Sequence, residues 1–180
     1  MTEHQLTEDI RLRPLAAGDG AALASAYARN REHLTRWEPR REEDFFTSAS
    51  QDAQLRLAIA EQRRGEAFRW VLETADERIV GRLNVTGIVR GALQSGNVGY
   101  WTDVELAGRG LMTAALHAAV DHARVWLGLH RLQAGTLVDN VASQRVLERT
   151  GFERIGLAPR YLRVDGAWRD HVLFQRILHD

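Results

Sequence analysis

Cysteine is missing from the 180 residues, which excludes disulfides, thiolate metal sites and any cysteine acyl-enzyme intermediate. Lysine is missing too, since all 24 basic residues are arginine. A P-loop, which needs Gly-Lys-Ser/Thr, is therefore excluded. Complete replacement of one cation by the other has the look of coding bias, although the arginine fork suits phosphate recognition well. Net charge is also absent, because 24 acidic residues balance the 24 basic ones. No global field draws this chain to nucleic acid or to an anionic membrane. No apolar run approaches transmembrane length, and Met1 to Glu8 lacks the apolar core of a signal peptide. A cytoplasmic protein with neither nucleic acid nor membrane as a direct partner is expected.

What is present is ordinary for a globular chain: 44% hydrophobic and 27% charged residues. The length predicts one domain over residues 1–180, with 1–8 as a flexible tail. Ile10, Leu12 and Leu15 predict a first strand. Asp19 is placed to cap a helix through Leu23 and Tyr27. The charged stretch from Asn30 to Pro39 is read as a connection, and a helix follows from Ser50 to Arg64, closed by Gly65. Strands are expected at Phe68 to Glu73, Arg78 to Thr86 and Ser95 to Thr102, the first two joined by a short turn and hence antiparallel. Further on come a strand at Leu132 to Leu137 and a short helix from Val141 to Thr150 with Gly151 as its cap. Two final strands follow, Phe152 to Val164, broken near Pro159, and Trp168 to Leu178, with Asp165-Gly166 as the hairpin turn.

The most informative stretch is Glu105 to Thr113. It joins the strand ending at Thr102 to a helix marked by Met112, Ala115, Leu116, Ala119, Val120 and Ala123. A helix start presents unpaired N–H groups and partial positive charge. With Gly108 and Gly110 beside it, an anion such as a phosphate can come close to the backbone. Alone, Gly-x-Gly between strand and helix is only a tight turn. It is not a dinucleotide fingerprint either, because Thr113 stands where the third glycine belongs.

Ordered blocks carry a resemblance: Gly108-Arg109-Gly110-Leu111-Met112-Thr113, Asp139-Asn140-Val141-Ala142-Ser143-Gln144-Arg145-Val146-Leu147-Glu148 and Gly151-Phe152, supported by Ile88-Val89-Arg90-Gly91 and by Tyr161-Leu162 with Asp165-Gly166 and Trp168-Arg169-Asp170-His171. Together they resemble the GCN5-related N-acetyltransferases (GNAT), and within them the branch that acetylates N-termini of ribosomal proteins on alanine or serine. The resemblance implies an α+β fold with a mixed, mostly antiparallel central sheet, splayed between its fourth and fifth strands and flanked by helices. It implies acetyl-CoA as cosubstrate, no metal, and an acceptor that is a protein N-terminus. A small-molecule amine (polyamine, amino acid or aminoglycoside) is the alternative acceptor, and a non-catalytic CoA-binding domain is the rival from another class. A homodimer is common in such families, although no apolar face in this sequence demands one.

Residue by residue, the resemblance places Thr102, Val104, Gly108, Arg109, Gly110, Leu111, Met112, Thr113, Asn140 and Ser143 on the cofactor. Ser143 is the candidate proton donor to the leaving sulfur. Trp37, Asn84 and Tyr161 are placed at the acceptor. Glu105 stands where many relatives carry Gln or Arg, which removes side-chain help to the pyrophosphate there. Arg160 replaces a glutamate that serves as base in one related branch, so Glu38, between Trp37 and Pro39, becomes the candidate base. Without cysteine, direct attack of a neutral amine on the thioester is expected. His117 and His122, five residues apart on one helix, do not favour a shared metal, and His171 is read as polar support for the last hairpin. Trp37, Tyr100, Trp101 and Trp168 are read as core or pocket walls, because no basic patch accompanies them for base stacking.

Overall fold

The computed structural model describes residues 3–180. Strands are β1 (His4–Gln5), β2 (Ile10–Pro14), β3 (Phe68–Thr74), β4 (Ile79–Val89), β5 (Ser95–Thr102), β6 (Arg131–Leu137), β7 (Glu153–Val164) and β8 (Ala167–Ile177). Helices are α1 (Gly20–Arg29), α2 (Arg31–Thr35), α3 (Ser48–Arg63), α4 (Leu111–Val125) and α5 (Val141–Arg149).

The strands form one sheet in the order β1-β2-β3-β4-β5-β6-β8-β7. Every neighbouring pair but one is antiparallel, with short turns joining β3 to β4, β4 to β5 and β7 to β8, whereas β5 reaches β6 through the α4 crossover and runs parallel to it. That parallel pairing covers only Ser95, Gly96 and Asn97 against Arg131, Leu132 and Gln133. Beyond it β5 and β6 part. These are the fourth and fifth strands of the sequence-based count, which lacks β1.

Helices cover both faces. Leu111, Met112, Ala115, Leu116, Ala119, Val120 and Ala123 of α4 pack with Leu147 of α5 on Leu83, Val98, Leu132, Val172 and Phe174. On the opposite face α1, α2 and α3 bring Leu23, Tyr27, Leu34, Leu55 and Ala58 against Val71, Ile79 and Trp101. Alternation along each strand divides its side chains between these two cores.

Several local expectations change. The supposed tail carries β1, whose His4 and Gln5 pair through the backbone with Leu12 and Arg11. The charged stretch after Asn30 contains α2, a single turn anchored by the buried Leu34. Asp19 occupies the cap position of α1 without a side-chain capping bond. Its carboxylate instead accepts from Arg13 (2.8 and 2.9 Å) and from the Ala16 N–H. Trp168 is 63% exposed and serves as neither core nor pocket wall. The final hairpin follows expectation: Asp165 and Gly166 both have positive φ, as a type I′ turn requires. The break near Pro159 is a register shift between Ala158 and Leu162.

His122 is buried against Phe68 and Trp70, with ring centroids 4.3 and 5.2 Å away. Burial, with a smaller push from His4, lowers its pKa to about 4. The unfolded chain then binds a proton near pH 6.5 that the folded chain refuses. The stability tied to this group is complete above pH 6.5 and falls as pH drops toward 4. His122→Leu is expected to flatten this part of the pH–stability curve in urea unfolding; an unchanged slope would contradict it.

Candidate active site

The parting of β5 and β6 opens a cavity of about 630 Å³. The Asp103 N–H donates to the Val80 carbonyl on β4 (2.7 Å). By strand alternation the main-chain groups of Val98, Tyr100 and Thr102 turn to the other edge, which β6 has left. A free strand edge therefore lines one wall.

At one end of the cavity lie Gly108, Arg109, Gly110, Leu111, Met112 and Thr113. Gly108 and Gly110 both have φ of +78°, and a Cβ on either would meet nothing within 4 Å. The left-handed backbone is what demands glycine here. Gly110 is the N-cap of α4 and no side chain caps it. Ala114 donates to the Gly110 carbonyl, so the N–H groups of residues 111–113 are left for a ligand. No acidic residue stands in that first turn. Arg109, Arg145 and Arg149 add positive charge to the lining. Glu105 is outside it, 3.7 Å from Arg78, so its charge opposes an anion less than the sequence suggested.

Asn140 and Ser143 also line the cavity. Asn140 Oδ1 caps α5 by accepting from the Ser143 N–H (3.1 Å), which fixes the first turn. Ser143 Oγ lies 2.9 Å from the Tyr100 hydroxyl, and that hydroxyl is also 3.1 Å from the Ser143 carbonyl. Burial pushes the Tyr100 pKa up to about 12, outweighing its bond to Ser143. Two protonated hydroxyls thus sit in contact at the middle of the cleft. Sequence reasoning missed Tyr100 as more than a wall; its alternation with Val98 and Thr102 was the available signal. Arg145 and Arg149 were missed as well, although their spacing of four puts them on one helix face.

The lining also includes His33, Leu34, Trp37 and Glu38, and His171, the cross-strand partner of Leu137 on β6. Burial raises the Glu38 pKa, with Arg41 and Arg82 opposing the shift. Leu34 and Glu38 also border a second cavity of about 390 Å³, walled by Arg31, Arg40, Arg41, Phe45 and Phe46. Three expected contacts fall outside the main lining. Val104 is 49% exposed, and its N–H is committed to Asn30 Oδ1 (3.0 Å). Asn84 is paired across β4 and β5 with Gly99, one strand from the cleft, and accepts from Arg82 (3.1 Å). Tyr161 reaches the site only through His171, with ring centroids 5.4 Å apart. Among the described residues no group of three or more His, Asp or Glu side chains is placed to hold a metal. Nor, among the described residues, is any helix long and apolar enough to cross a membrane.

Comparison with known proteins agrees with this geometry. The family model described as "Acetyltransferase (GNAT) domain" matches residues 9–153. The chain is 36% identical over 168 residues to the ribosomal protein uS5-alanine N-acetyltransferase of Escherichia coli, covering 93% of this chain and 87% of that protein. The crystal structure of a ribosomal-protein-S5-alanine acetyltransferase from Vibrio fischeri superposes with a TM-score of 0.96 at 31% identity, over 100% of this chain and 98% of that one. Mycobacterium smegmatis RimJ in complex with CoA-disulfide gives 0.87 at 36% identity, over 93% and 81%. With the split sheet, the uncapped α4 and these matches in agreement, the chain belongs to the GNAT acetyltransferase family.

Proposed function

We propose that this acetyltransferase uses acetyl-CoA to acetylate the N-terminal α-amine of a protein, in the class of the ribosomal proteins that its relatives are named for. The observation that carries the reading is the continuity of one cavity. It runs from the uncapped start of α4, past Ser143 and Tyr100, to Trp37 and Glu38. The free N–H groups of residues 111–113, with Gly108 and Gly110, would take the pyrophosphate. The open edge of β5 would hold the pantetheine arm as an added strand, and the Thr102 N–H would face the developing oxyanion. Ser143, backed by Tyr100, would return a proton to the departing sulfur.

The acceptor end favours a peptide over a small polyamine. It shares Leu34 and Glu38 with a second cavity, so an extended chain has room to continue. The wall there mixes Arg31, Arg40 and Arg41 with Glu38 and Asp165, and Arg41 is paired with Glu38 (3.6 Å), so space rather than charge favours the peptide. Such acceptors are made in the cytoplasm, which is where the reaction would occur.

A free α-amine has a pKa of about 7.7–8.0, so a modest base suffices near neutrality. Glu38, its carboxyl shifted toward neutrality by burial, fits that role better than an ordinary surface glutamate. Glu38→Gln is expected to lower kcat about 10-fold or more and to remove the acidic limb of the pH–kcat profile. An unshifted profile would dismiss Glu38.

Thiol release from acetyl-CoA tests the function, using peptides with free and blocked N-termini and a panel of small amines. Release with free peptides alone is expected. Silence on every peptide, with turnover of a small amine, would move the enzyme to small-molecule metabolism.

A further inference from the structure

Conversion of an ammonium into an amide removes two protons from the same nitrogen. The first leaves before attack, since only the neutral amine has a lone pair to offer. The second leaves the tetrahedral adduct, in which nitrogen carries positive charge and the former carbonyl oxygen negative. When the C–S bond breaks, the oxygen re-forms the carbonyl and sulfur takes one proton, so one proton is released overall. Glu38 can serve only one of the two departures from nitrogen unless it discharges to solvent in between.

A second proton acceptor faces the same space. Val172 and Phe174 of β8 belong to the core under α4 and α5. Alternation therefore turns His171 to the opposite face of the sheet, the face of α2, Trp37 and Glu38. His171 is 4% exposed, yet it borders the main cavity. Its Nδ1 lies 3.1 Å from the Arg169 carbonyl. A carbonyl can only accept, so Nδ1 carries the hydrogen and Nε2 of the neutral ring keeps its lone pair. Among the described residues Nε2 has no hydrogen-bond partner and is not among the fully buried atoms that lack one, so it keeps some accessible surface on a residue that borders the cavity.

The surroundings hold this ring in place without competing for Nε2. Tyr161 packs on it from β7. Gly135 stands beside it on β6, where an added Cβ would come 3.6 Å from His171 Cδ2 and 3.5 Å from Tyr161 Cε1. Gly135 and Leu137 supply no titratable group. Asp170, next in the chain, turns away and accepts from the Arg160 N–H (2.8 Å). A residue serving only to brace the hairpin would have no reason to leave a basic nitrogen facing the cleft.

We propose that His171 Nε2 takes the second proton, from the nitrogen of the tetrahedral adduct, and passes it to solvent. This rests on the acetyl-transfer reading above. In balance, Glu38 takes the first proton and nitrogen bonds to the thioester carbon. His171 takes the second, the carbonyl re-forms as the C–S bond breaks, and sulfur is protonated from Ser143. The protons on Glu38 and His171 go to solvent, and Ser143 recovers its proton from the Tyr100 hydroxyl, which is refilled from solvent.

The test uses the full chain with saturating acetyl-CoA and an alanine-starting peptide. His171→Gly is expected to lower kcat about 100-fold with acetyl-CoA affinity unchanged by calorimetry. Added imidazole should restore much of the loss with saturation, whereas pyrazole, similar in shape but scarcely basic, should not. His171→Gln, which fills the space without a basic nitrogen, should lose the same rate and resist rescue. It also keeps the test valid if the glycine variant does not fold. Either folded variant turning over near the wild-type rate would overturn the proposal, as would equal rescue by imidazole and pyrazole. A wild-type protein silent on every amine would overturn the acetyl-transfer reading and this proposal together. Wild-type turnover with unaffected variants would overturn this proposal alone.

Discussion

Replacing Ser143 with alanine is expected to lower kcat about 100-fold while acetyl-CoA binding stays near normal. The hydroxyl lines the cleft and lies 2.9 Å from the Tyr100 hydroxyl. Burial keeps Tyr100 protonated far above neutral pH, so a proton given up by Ser143 has a neighbour able to replace it. The effect belongs at the low end for acid–base catalysis, because a thiolate leaves readily even without a proton. Tyr100→Phe should cost less than Ser143→Ala, since it removes the second hydroxyl and leaves the first. Thiol release and calorimetry check both variants. Turnover of Ser143→Ala at the wild-type rate with normal affinity would remove the residue from the mechanism.

The largest loss of stability is expected from Asp103→Ala, about 3 kcal/mol. Asp103 is fully buried, at 0% exposure, just past the end of β5. Its carboxylate accepts from Arg29 Nε (2.8 Å), Asn30 Nδ2 (3.1 Å) and the Glu105 N–H (3.2 Å). Asn30 then spends its own Oδ1 on the Val104 N–H. This network ties the end of α1 to the turn that leads into Gly108 and Gly110. Removing the carboxylate leaves the Arg29 guanidinium and the Asn30 amide short of partners, and that loss sets the penalty. Arg29 is partly exposed, which keeps the cost at the lower end. Burial alone would raise the Asp103 pKa, but the bonds from Arg29, Asn30 and Glu105 outweigh it and hold the carboxyl below its usual range. Its stabilisation is therefore present above about pH 4 and lost as pH falls further. Urea unfolding should show a lower midpoint with the same slope, and Asp103→Asn should lose less. A midpoint equal to wild type would contradict the role of this network.

Where hydrophobic pattern and turn chemistry agreed, the sequence was sufficient. The strand Ser95 to Thr102 has the bounds expected for it, and the helix after Gly110 buries the stripe read from its spacing. The Asp165-Gly166 turn has the two positive φ angles its residues favour. Elements held by backbone or by one anchor were invisible. His4 and Gln5 pair without an apolar face, and α2 offers only Leu34 to any periodicity.

The candidate site divides in the same manner. Gly108 to Thr113, Asn140 and Ser143 share one cavity because motif spacing survives folding. Val104 does not, because the side chain that claims its N–H, Asn30, is distant in sequence. Tyr100 and His171 reach the cavity through strand alternation combined with the parting of β5 and β6, and no local pattern announces that parting. Glu105 turned to Arg78 for a similarly nonlocal reason.

The central claim is transfer of acetyl to an α-amine, and tandem mass spectrometry of the product reads it directly. The substrate is a peptide with a free alanine N-terminus and an internal lysine, incubated with acetyl-CoA and enzyme. The account predicts acetyl on the α-nitrogen and an unmodified lysine. Acetyl on the lysine side chain, or none on the peptide while a small amine is acetylated, would contradict it.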